Sequence, residues 1–321
     1  MRSSLTIYGE GSEDMRHVDV IIIGGGPAGI SAAIWCKRLG IDHLLLEKKQ
    51  ELGGQLTKIQ NEIIDYPGMY AENGRKIQLI FAEHISSLDC CCSLNSTVLS
   101  IDDSQKTVTV DQEGKIETIH FHYLVLASGA GQRRLGVPGE QEMLKRGEDY
   151  SATSDGPKLK NKTVAVVGGG DRAFEGAIIL ADAGVNVYLI HRSQTFKARS
   201  QFIELATKKS NITIMTDTQV TAIHGENRVT SISLLNHTGE TSTLNVDAVF
   251  VRIGIKRNSE LVEGKVDINE QGLIVTGENG QTSNSAIFAI GDVCTPSICS
   301  SIASSVGQGA MTAKYLSSLM G

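Results

Sequence analysis

Apolar and polar positions alternate along this chain in an order that occurs twice. From Val18 the sequence reads VDVIIIGGGPAGISAAIWCKRLGIDHLLLEKK: an apolar strand, a glycine turn, an apolar helix closed by Gly40, and a second strand ending at Glu47. From Thr163 it reads TVAVVGGGDRAFEGAIILADAGVNVYLIHRS, with the same elements in the same order. The helix-closing glycine follows the first turn glycine after 16 residues in both copies, Gly24 to Gly40 and Gly168 to Gly184. The second strand ends after 23 residues in both, at Glu47 and at His191. The pattern predicts a repeated βαβ unit.

Between and after these units the periodicity changes. An amphipathic helix is predicted from about Lys76 to Leu88, with Ile77, Ile80, Phe81, Ile85 and Leu88 on one face. Short strands follow at TVLSI and TVTV, and the run closes on YLVLASGA, Tyr123 to Ala130. The second unit ends alike, with strands near Val229–Leu235 and Val246–Ile253, so each unit is expected to carry a small β-ribbon. The tail from Ser285, SAIFAIGDV and then a helical stretch from about Ser300 to Met320, is too short to fold alone and is expected to return to the first domain. The expected layout is a first domain over 1–127 with a polar extension at 1–16, a second over 128–253, and the rest of the first over 254–321. The predicted class is α/β: two Rossmann-like dinucleotide-binding domains of the three-layer ββα type, the second inserted into the first.

The glycines carry the first chemistry. A tight turn whose backbone approaches a pyrophosphate at the positive end of a helix has no room for side chains. The residue ending the second strand then separates the two ligands. Glu47 suits ribose hydroxyls, as in FAD or NAD, whereas His191-Arg192 suits a 2'-phosphate, as in NADP.

Composition narrows the class. The net charge of -6 comes from interspersed residues and leaves no basic stripe for nucleic acid. The sequence has no apolar run of about 18 residues and no apolar signal core near its start, so no membrane partner and a cytoplasmic location are expected. Six cysteines, Cys36, Cys90, Cys91, Cys92, Cys294 and Cys299, form no CxxC and no metal-ligand spacing, and reduced thiols without a metal are expected. Cys294 and Cys299 flank a turn directly after Asp292 and are the one alternative thiol pair in the chain.

Taken with IIGGGPAG, LLEKK, Gly53-Gly54-Gln55-Leu56-Thr57, Asp65-Tyr66-Pro67-Gly68, LASGA, VVGGGDRA, IHRS, VRIGIKRN and FAIGDV, the chain from Val18 onward resembles the low-molecular-weight thioredoxin reductases, FAD-containing pyridine nucleotide-disulfide oxidoreductases. The resemblance implies FAD held by Gly24, Gly26, Pro27, Ala28, Gly29 and Glu47, with Gly54, Gln55, Leu56, Asp65, Ser128, Gly129 and Gly291 near it and Asp292 on the ribityl chain. It implies a homodimer, thioredoxin or a similar small disulfide protein as partner, and hinges near 127–131 and 250–256 about which the domains rotate. It also implies a redox dithiol in a CATCDG-like segment, with the aspartate as proton donor.

Here that segment is Ser151-Ala152-Thr153-Ser154-Asp155-Gly156. A serine hydroxyl lacks the acidity and the two-electron couple of a thiol, so this loop is expected not to reduce a disulfide. The family's nucleotide motifs also change. GGGxSA becomes Gly168-Gly169-Gly170-Asp171-Arg172-Ala173, and HRRxxxR keeps Arg192 but puts Ser193 and Lys197 at its other basic positions. NADPH binding at Gly168, Gly170, Arg172, Arg192 and Lys197 is therefore expected to be weakened, and reduced ferredoxin becomes a candidate donor. Ser300-Ser301 stand where the family has an Arg-Gln pair. Two origins of the serines stay open: a deliberate or recent loss of cysteines, or a natural relative that left dithiol chemistry. The alternative functions are a dithiol-independent flavin reductase, similar to the thioredoxin-reductase-like ferredoxin-NADP reductases, and a non-catalytic flavin-binding redox sensor.

Overall fold

The computed structural model describes residues 16–59 and 62–321. The polar extension expected at 1–16 lies outside the described residues except for Arg16, which opens the first strand. The chain divides into two compact units, one running to Gly129 and resuming over Arg257–Gly321, the other spanning Ala130–Lys256.

The first unit begins with β1 (Arg16–Ile23), α1 (Pro27–Arg38) and β2 (His43–Leu46). It continues through a 3-10 turn at Gly54–Lys58, α2 (Gly74–Ser87), β3 (Cys92–Ser93), β4 (Ser96–Asp102), β5 (Thr107–Gln112) and β6 (Lys115–Leu126). β1 reaches two residues earlier than Val18 because Arg16 and His17 pair with Ile119 and His120 of the long β6. The strands order as β3-β2-β1-β6-β5-β4. β3, β2, β1 and the end of β6 are parallel, whereas β4, β5 and the start of β6 form an antiparallel ribbon.

Both faces of the parallel strands are covered, which explains their continuous apolar runs. Ile21, Ile23, Leu44 and Leu46 pack on one face with Val98, Val108 and Phe121 of the ribbon. Val20, Ile22 and Leu45 pack on the other with Ala32 and Ala33 of α1. Layers of helix, sheet and ribbon result.

α2 is capped by Asn73, whose side chain accepts the Lys76 N–H at 3.1 Å. Its buried stripe runs through Ile77, Phe81 and Ile85, but Ile80 and Leu88 are exposed, contrary to the expected face. Ile80 lies off the i, i+4 stripe, and Leu88 is the C-cap beyond the last turn. Gln78 is buried instead, donating to Leu52 O at 2.8 Å.

The second unit contains β7 (Ala130–Gln132), α3 (Glu140–Lys145), the four-residue α4 (Ala152–Asp155), β8 (Thr163–Val167), α5 (Asp171–Asp182), β9 (Asn186–Ile190), α6 (Ser200–Thr207) and β10 (Ile212–Met215). It continues with β11 (Thr218–His224), β12 (Ser231–Asn236), β13 (Thr241–Asn245) and β14 (Ala248–Val251), and β15 (Ile255–Arg257) runs to the residue at which the first unit resumes. Its parallel sheet is ordered β10-β9-β8-β14, and β11-β12-β13 form a separate antiparallel sheet. α5 closes the helix side through Phe174, Ala177 and Leu180, while Val220, Ile232 and Leu234 of the ribbon cover the other face.

The chain then supplies the first unit with β16 (Ile287–Ala289), parallel to β6, and α7 (Ile302–Met320). α7 lies tightly on α1: a Cβ built on Gly309 would stand 2.4 Å from Ala28 O, and Ser31 Oγ donates to Val306 O at 2.7 Å. No helix among the described residues is long and apolar enough to cross a membrane.

Candidate functional site

In the first unit β1 ends in a turn that only glycine can make. Gly24 has φ of 109°, and a Cβ there would stand 2.5 Å from Ala127 O. At Gly29 the constraint is helix packing, because an added Cβ would lie 1.9 Å from Gly24 O. Pro27 occupies the first turn of α1, where its missing N–H costs nothing, and no side chain caps that end and no acidic residue occupies its first turn. The helix N-terminus therefore offers uncapped amides and a positive dipole end.

Elements distant in sequence close on this turn. Gly53 N donates to Gly25 O at 2.7 Å, and a Cβ on Gly54 would come within 2.9 Å of Gly26 Cα. The buried Leu56 anchors this 3-10 turn. Glu47, buried at the end of β2, accepts the Gly25 N–H at 2.7 Å through Oε2 and the Lys49 N–H at 2.9 Å through Oε1. Its carboxylate thus braces the glycine turn, a role its position in the sequence did not announce.

Gln55 meets Asp292 across 237 residues: Nε2 donates to Oδ2 at 2.8 Å. Ser300 Oγ donates to the other oxygen, Oδ1. The buried Arg257 donates from Nη1 to Asp292 O at 2.6 Å and from Nη2 to Ser297 Oγ at 2.9 Å. Gly291 holds φ of 74°, abuts Ala28, and donates its N–H to Gln308 Oε1 at 2.6 Å. Ser128 Oγ donates to Asn258 O at 2.6 Å while Asn258 Nδ2 returns a bond to Ser128 O at 2.7 Å, and Asn258 N donates to Gly129 O. Asp65 is exposed and makes no described contact with this group. Arg257 and Asn258 end the VRIGIKRN motif but received no role from the sequence, and Gln308 was not singled out, because nothing local marks a residue's partner far along the chain.

These residues fit the flavin dinucleotide that the resemblance implies. The close approaches of Gly24 to Ala127 and of Gly54 to Gly26 bring bare backbone, without side chains at 24, 26 and 54, beside the uncapped amides of α1. Glu47 and Asp292 retain lone pairs for ligand hydroxyls beyond the bonds described.

The corresponding turn in the second unit differs. A Cβ on Gly168 would stand 2.2 Å from Arg252 O, so that close approach is kept, and Ala173 occupies the place of the third glycine. The His191 ring lies over Gly169, whose added Cβ would be 2.4 Å from ring Cε1. The ring is held by Ser193 Oγ at 2.9 Å and Thr195 O at 3.1 Å, and it packs on Phe196. At the start of α5 Asp171 accepts both the Arg199 N–H and Nε at 2.8 Å. Arg172, Arg192 and Lys197 are exposed. A carboxylate already paired with a cation stands in the first turn of this helix, where the first unit has none.

The serine loop is held at both ends. Ser151 N donates to Asp155 Oδ2 at 2.9 Å, closing the single turn of α4, and Lys158 pairs with Asp155 Oδ1 at 3.0 Å. Ser154 Oγ lies 3.5 Å from the same carboxylate. Ahead of the loop Arg252 Nη2 donates to Tyr150 O at 2.6 Å, and Tyr150 OH donates to Glu148 Oε2 at 3.2 Å. Burial and then the Glu148 carboxylate push the Tyr150 phenol up to about 12. Burial also holds the Arg252 guanidinium below its ordinary value, with Arg172 adding to that effect and Asp149 opposing it.

All six cysteines are free thiols. Cys294 Sγ donates to Ala289 O at 3.3 Å and Gly291 O at 3.4 Å, and burial pushes it up to about 11, while Cys299 is exposed. Of the triple run only Cys92 lies in a strand; Cys91 is exposed, and Cys90 and Cys92 pack against the helix-side core. Among the described residues no group of three His, Cys, Asp or Glu side chains is placed to hold a metal ion.

Comparison with known proteins gives a consistent result. Residues 18–312 match the family model described as pyridine nucleotide-disulphide oxidoreductase. The chain is 36% identical over 287 residues to a thioredoxin reductase of Mycolicibacterium smegmatis, covering 86% of this chain and 88% of that one. It is 34% identical over 304 residues to an alkyl hydroperoxide reductase polypeptide of Staphylococcus aureus, covering 94% of this chain but 59% of the relative's length. Among solved structures, Lactococcus lactis thioredoxin reductase matches at 31% identity and a TM-score of 0.70, covering 93% of this chain and 97% of that one. The α/β class with Rossmann-type sheets, expected from the repeated glycine turns, is borne out by these matches.

Proposed function

The chain belongs to the pyridine nucleotide-disulphide oxidoreductases, and from that premise we propose that it is an FAD-dependent oxidoreductase of the thioredoxin reductase type whose disulfide-exchange loop is silent. The observation that carries the proposal is the pairing of a well-formed first nucleotide turn with hydroxyls at Ser151 and Ser154 on a loop otherwise intact. When bound, FAD supplies a two-electron carrier. Gly24, Gly26, Pro27, Ala28 and Gly29 shape the pyrophosphate turn, Glu47 receives ribose hydroxyls, and Gln55 and Asp292 orient the ribityl end. Gly54, Leu56, Ser128, Gly129 and Gly291 support these groups from behind.

Ser151 and Ser154 occupy the positions of a redox dithiol. A hydroxyl supplies no thiolate at neutral pH, so neither attack on a substrate disulfide nor transfer from the flavin proceeds through them. Asp155, bound to the Ser151 N–H and to Lys158, is the proton-holding group of the parent reaction. The parent partner is thioredoxin or a similar small disulfide protein, met by a homodimer.

A second reading concerns the donor. The Asp171–Arg199 pair and the exposed Arg172 support weakened NADPH binding at Gly168, Gly170, Arg192 and Lys197, with reduced ferredoxin as an alternative electron source. In that case the chain acts as a dithiol-independent flavin reductase.

Anaerobic reduction of the visible flavin band, with NADPH and reduced ferredoxin side by side, tests both readings. Rapid bleaching by NADPH refutes the weakened site. The Ser151→Cys/Ser154→Cys variant is expected to gain disulfide reductase activity with whichever donor works; no gain with either donor sinks the silent-loop reading.

A further inference from the structure

We infer that Ser300 is a positioning residue for the flavin site, orienting the Asp292 carboxylate from the helix side of its loop. The inference rests on the flavin reading above and deepens it. Asp292 follows β16 on a 3-10 turn, and its side chain would otherwise rotate about both of its χ angles. Instead each carboxylate oxygen has its own donor: Gln55 Nε2 on Oδ2 and Ser300 Oγ on Oδ1. Two donors on opposite oxygens fix the plane of a carboxylate, which one donor cannot do. The lone pairs left over then point in set directions before any ligand hydroxyl arrives.

Ser300 is well placed for this work. It immediately precedes Ser301, which caps α7 in a reciprocal bond set with Ser304. The hydroxyl is therefore tied to the start of a 19-residue helix that packs on α1, the helix of the first glycine turn. Arg257 grips the Asp292 carbonyl and Ser297 across the same loop, so the backbone between Asp292 and Ser300 is held as well. In this way the turn proposed for the pyrophosphate and the carboxylate proposed for the ribityl chain refer to one rigid pair of helices. The serine that stands in place of a basic residue thus has a function of its own.

The test measures flavin release from the purified holoprotein, followed by the rise of free-flavin fluorescence after dilution. Losing one charge-assisted donor predicts about tenfold faster release for Ser300→Ala, with Ser300→Thr close to the parent because it keeps the hydroxyl. In an Asp292→Ala background the same Ser300→Ala change is expected to add less than about twofold, since no carboxylate remains to orient. Thermal unfolding of the flavin-free proteins shows that each variant is folded. Release from Ser300→Ala within about twofold of the parent overturns the inference, as does an undiminished effect in the Asp292→Ala background. A parent chain that retains no flavin overturns the flavin reading itself, and this inference with it; a parent that retains flavin while Ser300→Ala changes nothing overturns this inference alone.

Discussion

Replacing Gly29 by alanine tests whether the first nucleotide turn is built as described. The new Cβ would stand 1.9 Å from Gly24 O, 3.1 Å from Gly24 C and 3.3 Å from Ala127 Cβ. Ordinary contacts need about 3.5 Å, so α1 must retreat or the Gly24 peptide must turn. Neither movement is free. Gly24 N is bonded to Leu46 O at 2.9 Å, and α1 is pressed from behind by α7, where Gly309 leaves no slack. Overpacking of this kind costs about 3 kcal/mol, offset by about 1 kcal/mol of helix propensity, leaving about 2 kcal/mol of destabilisation. With a urea dependence of about 2 kcal/mol per molar, the midpoint falls by about 1 M. Trp35 is the one tryptophan in the chain and sits on α1, so its fluorescence reports this unit. Gly307→Ala on α7 is the control: nothing lies within 4 Å of its added Cβ, and it is expected to raise the midpoint. A Gly29→Ala midpoint within about 0.2 M of the parent would refute the packing argument.

Other outcomes follow from single groups. The Tyr150 phenol, raised from 10.0 to about 12, favours the folded state in its neutral form. Its contribution is whole below pH 10 and is lost as pH climbs through 12, so the parent should lose stability relative to Tyr150→Phe across that window; an absorbance difference titrating at the ordinary value contradicts this. Near pH 8, a thiol reagent followed by mass mapping should modify the exposed Cys91 and Cys299 first. Cys36 and Cys92, pushed up to about 12, and Cys294, at about 11, should lag, and early labelling of Cys294 counts against its burial. Ser301→Ala removes the half of the α7 capping box that its hydroxyl makes, the bond accepted from Ser304 N, and should cost about 1 kcal/mol in the same urea assay.

The sequence by itself determined the local order of both βαβ units, since burial on two sheet faces and on one helix stripe writes itself as periodicity. β2 ends just before Glu47 and β9 just before His191, where the matched spacing put them. Gly40 and Gly184 close their helices with φ of 72° and 81°, as tight left-handed exits require. Where side chains meet across the chain, the same reasoning had no signal to use. The expected apolar face of α2 included Ile80 and Leu88, but the tertiary contacts chose Gln78 and left those two exposed. Glu47 was legible as a carboxylate at a strand end, yet its bond to the Gly25 N–H depends on how the turn lies beside it. The bonds of Asp292 to Gln55 and Ser300, and of Asp171 to Arg199, were decided only by the fold. A helix or strand is set by neighbours a few residues away, whereas a polar partner is set by which loops a closed core brings together.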